Sequence, residues 1–267
     1  MSEKEILDVT AEVAKEIAKD VYEDAGKPIA KPTGELVGLI PRAIKAALSP
    51  LEKWILQREY NVEETRKLLE KKLESTPPNQ IEAPEPHIAV PAMQYISYCM
   101  DNEELREMYA NLLASSMKKD TKKNAHPSFV EIIKQLCPDE AKLLKHIYCE
   151  SKIFSVPLVF LDIHKEKGTL SLTRIFFSDV PSLCGCDEKI FYVKYFDNLE
   201  RLGLIKCLND QEINNSDVYD KILSSEFYLA AIELLKSQHS TYEISPRKGI
   251  AMLTQYGESF CKICLNV

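Results

Sequence analysis

The sequence predicts a mainly α protein in which an N-terminal helical domain, residues 1–136, is followed by a small α+β domain, residues 137–267. In the first half, apolar residues recur every three or four positions, which is the spacing of one buried helix face. After about residue 150 the pattern changes to short runs rich in Val, Ile, Thr and Phe, which favour strands. With 8 glycines, 14 prolines and 28% charged residues, the composition is that of an ordinary globular protein.

The N-terminal domain is predicted to begin with a helix that ends near Asp24. Ser2 and Glu5 form a capping box before an apolar repeat, which marks the helix start. A proline-rich linker follows at 25–34, because its Gly and Pro residues cannot continue a helix. The stretch 36–55 then carries an apolar stripe opposite a mixed-charge face, which indicates an amphipathic helix or two short ones.

A heavily charged helix, "VEETRKLLEKKLE", precedes a second proline-rich linker at 75–91. Pro91 suits the first position of the helix that follows, where a missing N–H costs nothing. Asp101 with Glu104 predicts a capping box before "LREMYANLLASSM". The second linker is therefore expected to be extended and to lie along a surface between helices.

Two helices meet at a very short corner near the predicted domain boundary. His126 and Pro127 end a turn, Ser128 is placed to cap one helix, and Pro138 begins the next. So short a connection fixes the crossing of the two helices. We therefore predict that His126, Pro127 and Pro138 mark a rigid junction between the domains.

The C-terminal domain is predicted to alternate strands and helices. "FSVPLVFLDIH" and "GTLSLTRIFF" indicate a hairpin, and "KIFYVKYFDNLERLGLI" indicates a helix that stops at Gly203 before a short strand. One more helix is expected at 220–238. Two strands separated by a turn at 246–249 should follow, and then a closing helix capped by Thr254.

Several segments together resemble one prokaryotic family. "ELREMYANLLASSM", "AHPSFVEIIKQLCPDEAKLL", "NLERLGLI" and "LTQYGESFCKIC" are similar to the abortive-infection alpha (Abi-alpha) family, a domain of unknown function, over roughly residues 80 to 265. The resemblance implies a part in defence against phage and supplies no catalytic residues. We therefore expect a non-enzymatic component of an abortive-infection pathway that acts as a sensing or protein-interaction module. Its trigger, its partner and its oligomeric state stay open.

The C-terminal domain also resembles a winged helix. In that interpretation Asp139 to Cys149 is the first helix and Glu188 to Leu202 is the recognition-type helix. Residues 204–208 and 248–253 are the wing strands, and the hairpin and the helix at 220–238 are insertions. The pattern "LxxLGLI" is weak by itself, because any helix that ends at Gly before a strand produces it.

A winged helix raises the alternative of a DNA-binding regulator. The interaction candidates on the recognition-type helix are Lys189, Lys194 and Arg201, which could neutralise phosphates. Three acidic residues cancel their charge: Glu188, Asp197 and Glu200. The whole chain has a formal net charge of −7, and neither half is basic, so DNA is a less favoured partner than protein. The basic run "KKDTKKN" is interpreted as a solvated turn.

A second alternative is a membrane-active effector that binds a lipid surface through 36–55, which carries Trp54 near its end. The favoured interpretation is that this stripe packs against neighbouring helices, since its polar face is mixed in charge and not mainly basic. No run of apolar residues is long enough to span a bilayer. The start of the chain lacks a secretory pattern, so we expect a cytoplasmic protein.

The eight cysteines are expected to be free thiols in the cytoplasm. Cys184 and Cys186 in "CGC", with Cys261 and Cys264 in "CKIC", are weak candidates for a four-thiolate zinc site. The first spacing is uncommon, and the second pair lies in an apolar helix where thiols pack as small hydrophobes. No metal and no cofactor is therefore predicted.

His126 is the most conspicuous candidate for catalysis. It would need a nucleophile and an orienting carboxylate, and Ser128, Cys137 or Asp139 could take those parts. A capping or packing role is favoured for a histidine before proline at a helix entry. Phosphate-binding, dinucleotide, metalloprotease and nucleophile-elbow motifs are not found in the sequence, so we expect that the protein is not an enzyme.

Overall fold

The computed structural model of the chain describes residues 58–151, 154–165, 168–187, 192–238 and 243–265. Ten α-helices and four strands lie within these ranges, so the prediction of a mainly helical protein with a small β component is confirmed. Along this part of the chain, no helix has both the length and the apolar content that crossing a bilayer requires. The predicted first helix, the linker at 25–34 and the stretch 36–55 lie outside the described residues.

Three helices and a proline-rich connection make up the first part of the described chain. Their bounds are α1 Arg58–Leu73, a 3-10 turn at Pro78–Gln80, α2 Pro86–Ile96 and α3 Glu103–Met117. The charged segment that was predicted to be helical is α1. Helix α3 is the most buried of the three, because the residues from Met108 to Ser116 are all shielded from solvent.

The second proline-rich segment is shorter than predicted. Helix α2 begins at Pro86, so Pro91 lies inside the helix and not at its first position. The extended part ends at Glu85 and lies beside the end of α3, where the backbone N–H of Glu82 donates to the carbonyl oxygen of Met117 over 2.8 Å. A buried stripe on α2 offsets the helix bond lost at Pro91, and its members are Ile88, Ala92 and Ile96.

Side-chain caps begin two of the helices. Asn102, and not Asp101, caps α3, since its side-chain oxygen accepts a hydrogen bond from the N–H of Leu105 over 3.0 Å. Thr254 caps the last helix as predicted, accepting from the N–H of Gly257 over 2.9 Å. Capping-box spacing placed the first of these helices correctly and misidentified its cap by one residue.

The corner predicted from its two prolines is present. Helix α4 spans Ser128–Lys134 and α5 spans Pro138–Cys149, so only residues 135–137 connect them. Pro138 stands in the first turn of α5, where its missing N–H has no helical partner to lose.

The four strands form one antiparallel sheet in the order β2-β1-β4-β3. Their bounds are β1 Ser155–Lys165, β2 Gly168–Phe177, β3 Ile205–Leu208 and β4 Glu243–Leu253. Strands β1 and β2 form the predicted hairpin, with a register shift between Phe160 and Leu161. Strand β3 pairs with residues 250–253 of β4, so the two predicted wing strands are partners.

Strand β4 corrects the predicted turn at 246–249, because it runs without a break through both Pro246 and Gly249. Pairing with β1 continues over this whole stretch and places Pro246 opposite Leu161. Pro246 lies beyond the end of β3, so its missing N–H interrupts no bond to that neighbour. At Gly249 a Cβ atom would lie 2.4 Å from the ring of Phe160 and 2.5 Å from the carbonyl oxygen of Leu208, so glycine permits a close approach within the sheet.

Five helices complete the C-terminal part: α6 Val180–Leu183, α7 Val193–Arg201, α8 Asp217–Leu223, α9 Glu226–Gln238 and α10 Gln255–Cys264. Helix α7 ends as predicted, with Gly203 in the left-handed conformation at a φ of 73°. The single helix predicted at 220–238 is instead the pair α8 and α9, which a short turn separates.

One hydrophobic core runs through helices on both sides of the predicted boundary at residue 136. Leu112 of α3, Leu144 of α5, Phe196 of α7 and Phe260 of α10 all belong to it. A smaller cluster holds α8 and α9 against the sheet. The larger core fixes the position of α5, while the division into two domains stays a prediction.

Candidate functional site

The outer face of α7 carries four exposed charged residues whose formal charges sum to zero: Lys194, Asp197, Glu200 and Arg201. Lys189, the third basic candidate, lies outside the described residues. The guanidinium of Arg201 donates to Asn198 Oδ1 over 2.6 Å and to Gln135 Oε1 over 3.0 Å. Arg201 is therefore engaged with neighbouring side chains of its own chain.

Asp139 is a buried carboxylate that joins three elements. It lies in the first turn of α5 and is only 5% exposed. Its oxygens accept from Lys142 Nζ over 3.2 Å, from the hydroxyl of Tyr195 over 3.0 Å and from the backbone N–H of Asp187 over 3.1 Å. These three donors offset the cost of burying the charge. Asp139 therefore connects α5 to α7 and to the turn after α6.

Glu140 makes a second link between α5 and α7. One carboxylate oxygen accepts from the backbone N–H of Cys137 over 2.7 Å, and the other accepts from Asn198 Nδ2 over 2.9 Å. Burial raises the pKa of the Glu140 carboxyl, although these hydrogen bonds oppose the shift. Asn198 also donates to the carbonyl of Gln135, so α7 is attached to the corner between α4 and α5.

Three pockets that share lining residues form a groove along α5, which we call the α5 groove. Their volumes are about 540, 500 and 410 Å³. Glu104 and Lys145 line both the first and the second pocket, while His146 and Leu183 line both the second and the third. Leu183 is 63% exposed. The α5 groove thus combines both signs of charge with an accessible apolar side chain.

Buried polar atoms without a hydrogen-bond partner lie at both ends of the α5 groove. Asn111, which lines the first pocket, leaves its Oδ1 unsatisfied. The same holds for Ser155 Oγ and Asp179 Oδ1 beside the third pocket. Burial raises the pKa of the Asp179 carboxyl. Unsatisfied buried polar atoms are uncommon in folded proteins, where ordered water commonly supplies such partners.

The structure places the two cysteine pairs in different surroundings. Cys184 Sγ and Cys186 Sγ lie 3.4 Å apart in the turn after α6, and Cys184 lines the second pocket of the α5 groove. Cys261 and Cys264 are both buried in α10 within the main core, and burial raises the pKa of each thiol. Among the described residues no group of three or more His, Cys, Asp or Glu side chains could hold a metal ion, so the four cysteines do not meet in one thiolate site.

The region of His126 contains a small polar cluster. His126 Nδ1 lies 2.5 Å from Ser128 Oγ, which in turn contacts the hydroxyl of Tyr256 from α10. Ser128 therefore pairs with these side chains and does not cap α4, as its position had suggested. Asp139 instead bonds to the groups around α7, so it does not orient His126. The cluster adjoins a pocket of about 370 Å³ that Lys123 and Lys262 also line.

Sequence reasoning identified the corner and both cysteine pairs but missed the α5 groove and Tyr256. One signal was available: Lys142, Lys145 and His146 stand at helical spacing on the polar side of α5. The opposite wall could not be anticipated, since Glu104 comes from α3 and Leu183 from α6. Tyr256 reaches Ser128 across 128 positions of sequence.

Comparisons with known proteins identify a family. The family model described as abortive infection alpha matches residues 57–264. A solved structure of an uncharacterized protein from the hydrocarbon-degrading marine bacterium Alcanivorax borkumensis SK2 is 16% identical, and the match covers 56% of this chain and 96% of that one with a TM-score of 0.37. A likeness at this level carries no conclusion about function. Comparison with curated proteins gives no match.

Proposed function

Because the chain belongs to the abortive infection alpha family, we propose that it acts in a prokaryotic phage-defence pathway as a non-enzymatic sensing and protein-interaction module. The observation that carries the proposal is the α5 groove, with Glu104 and Lys145 on its walls and Leu183 exposed beside them. A site with both signs of charge and an apolar contact suits a protein segment of complementary pattern.

The proposed module is a winged helix with insertions. Its order of elements supports this: α5, β1, α6, α7, β3 and β4 follow one another, and β4 lies between β1 and β3 in the sheet. The sequence alone indicates that the whole hairpin is an insertion, but β1 pairs with β4, so we assign β1 to the basic arrangement and only β2, α8 and α9 to the insertions. One fold can host many functions, so a winged helix by itself would not assign DNA as the partner.

A protein partner is favoured over DNA by the outer face of α7. Its charges cancel, and Arg201 already donates to Asn198 and Gln135. A helix that reads DNA needs free basic groups to neutralise phosphates. If DNA is the partner, neutralising Lys189, Lys194 and Arg201 should weaken binding.

We propose no catalytic step. His126 and Ser128 contact each other and Tyr256, and Asp139 is occupied elsewhere by Lys142 and Tyr195. In the described part of the chain His126 hydrogen-bonds to Ser128. This arrangement supports a structural role at the entry to α4, since a catalytic base is usually oriented by a carboxylate.

Recognition in the α5 groove would be transmitted to the N-terminal helices through the corner between α4 and α5. Glu140 and Asn198 hold this corner through Cys137 and Gln135. Replacing Pro138 with Gly should loosen the junction and accelerate hydrogen exchange in α4 and the first turn of α5. Unchanged exchange in both helices would contradict this part of the proposal.

Partner capture tests the proposed recognition surface. The groove swap variant, Glu104→Lys with Lys145→Glu, keeps the net charge and exchanges the two signs within the α5 groove. The control swap variant, Glu233→Lys with Lys236→Glu, does the same on exposed positions of α9. A protein retained from phage-infected cells by the wild-type chain and by the control swap variant should be lost with the groove swap variant. Equal retention by all three would exclude the α5 groove as the binding surface.

A further inference from the structure

The turn that follows α6 places two thiols side by side. Cys184 and Cys186 are separated by Gly185, which adopts a left-handed conformation with a φ of 68°. This conformation, which favours glycine, brings the sulfur atoms to 3.4 Å. A disulfide bond is about 2.05 Å long, so the two sulfurs need to approach by only about 1.4 Å to form one.

The two thiols differ in access and in hydrogen bonding. Cys184 is partly exposed and lines a pocket of about 500 Å³ together with Lys142 and Lys145. Cys186 is 2% exposed, and its thiol also lies 3.7 Å from the carbonyl oxygen of Asp139. A hydrogen bond from the Cys186 thiol lowers the pKa of Cys184, although burial opposes that shift. The accessible Cys184 sulfur is thus suited to react with an oxidant from solvent, and the buried Cys186 sulfur is placed to react with Cys184 afterwards.

We infer that Cys184 and Cys186 form a modification site that reacts with hydrogen peroxide and closes to an intrachain disulfide. In the first step the Cys184 thiolate attacks one peroxide oxygen and the O–O bond breaks. The sulfur becomes a sulfenic acid, and the leaving hydroxide takes a proton to become water. In the second step Cys186 attacks the Cys184 sulfur, an S–S bond forms, and the sulfenic oxygen leaves as water with the Cys186 proton.

Closure of the disulfide changes the contacts of α5. The Cys186 thiol loses its proton, so its contact with the carbonyl of Asp139 ends. The next residue, Asp187, donates its backbone N–H to the Asp139 carboxylate, and the turn is therefore connected directly to the start of α5. The second pocket of the α5 groove, which Cys184 lines, changes with it. This site does not depend on the proposed function, since it requires no partner.

The chain contains its own matched control. Cys261 and Cys264 are a second pair of nearby thiols, but both are buried in the core and burial raises the pKa of each. Cys149 is a single thiol in an exposed residue, and partial desolvation of its sulfur raises its pKa as well. Peroxide should therefore oxidise the first pair on the order of tenfold faster than Cys149 and should leave the second pair reduced.

Peptide mapping of the native full chain tests the inference. The reduced protein is treated with hydrogen peroxide, alkylated under denaturing conditions and digested. The peptide with Cys184 and Cys186 should be lighter by two hydrogen atoms and carry no alkyl group, and dithiothreitol should restore both alkylation sites. If both cysteines are still alkylated when Cys149 is already oxidised, the inference is overturned.

Two variants separate the roles of the sulfurs. In Cys186→Ser a sulfenic acid should accumulate on Cys184, where dimedone traps it, and the disulfide should not form. In Cys184→Ser the Cys186 thiol should stay reduced under the same treatment, because it is buried. If dimedone labels Cys186 in the Cys184→Ser variant but does not label Cys184 in the Cys186→Ser variant, the roles of the two sulfurs are reversed and the mechanism is contradicted. Circular dichroism confirms that each variant is folded before treatment.

Discussion

Asn111 of α3 donates its side-chain amide to the carbonyl oxygen of Cys264 in α10 over 2.9 Å, across 153 positions of sequence. The same amide also lies 3.1 Å from the carbonyl of Leu265. These carbonyls stand at the end of a helix, where no N–H of the helix itself can reach them. Asn111 therefore caps α10 and fixes it against the N-terminal helices.

Replacing Asn111 with Ala should lower the free energy of unfolding by about 1 to 3 kcal/mol, because buried carbonyls lose their donor. Urea denaturation measures the change. Asn124→Ala, at an exposed position, is the matched control and should have almost no effect. Equal stabilities of the two variants would contradict the capping role of Asn111.

Replacing Tyr195 with Phe removes one donor to the buried carboxylate of Asp139 and keeps the packing of the ring. We expect a loss of about 1.5 to 3 kcal/mol, the range for a hydrogen bond to a charged group. Tyr98→Phe, on an exposed ring, should cost much less. A Tyr195→Phe variant as stable as the wild type in urea denaturation would show that Lys142 and the turn at Asp187 suffice to hold Asp139.

Glu140 should make stability depend on pH. Burial raises its pKa in the folded chain above the ordinary value of 4.5, so the folded state binds more protons than the unfolded state above that pH. The contribution of Glu140 is therefore most favourable at low pH and declines as the pH rises from 4.5 through the raised pKa. The unfolding free energies of Glu140→Gln and of the wild type are measured from pH 4 to about pH 7. The wild type should lose stability relative to Glu140→Gln as the pH rises. Parallel curves would contradict it.

Gly249 should tolerate no side chain. In Gly249→Ala the added methyl group would meet the ring of Phe160 and the carbonyl oxygen of Leu208, so strands β1 and β3 would be pushed from β4. The expected loss of stability is about 1 to 3 kcal/mol. Thermal unfolding measures it, with Lys206→Ala at an exposed position of β3 as the control. If Gly249→Ala unfolds at the same temperature as the Lys206→Ala control, the sheet can relax around the added methyl group and the prediction is wrong.

Several helix boundaries were predictable from the sequence, because apolar spacing and capping residues are local signals. The start of α5 at Pro138 and the end of α7 before Gly203 are examples. Strand β4 was not predictable in the same way. Pro246 and Gly249 indicate a turn locally, and pairing with β1, more than 80 positions earlier, overrides that preference.

The candidate site also combines features that the local sequence predicts with features that depend on tertiary packing. Cys184 and Cys186 are two positions apart in sequence, so their proximity could be anticipated, whereas Tyr195 and Asp187, which donate to Asp139, lie on other elements. The α5 groove is lined by several elements, among them α3, α5, α6 and β1, and no local pattern brings these together. Burial and pairing of Asp139 are decided by tertiary packing.

The most direct test of the proposed function is phage plating on a bacterial host that expresses the wild-type chain, the groove swap variant or the control swap variant at equal levels. With a phage against which the wild type protects, the control swap variant should reduce plaque formation equally, and the groove swap variant should permit plaques as on a host without the protein. Full protection by a folded groove swap variant would contradict recognition through the α5 groove.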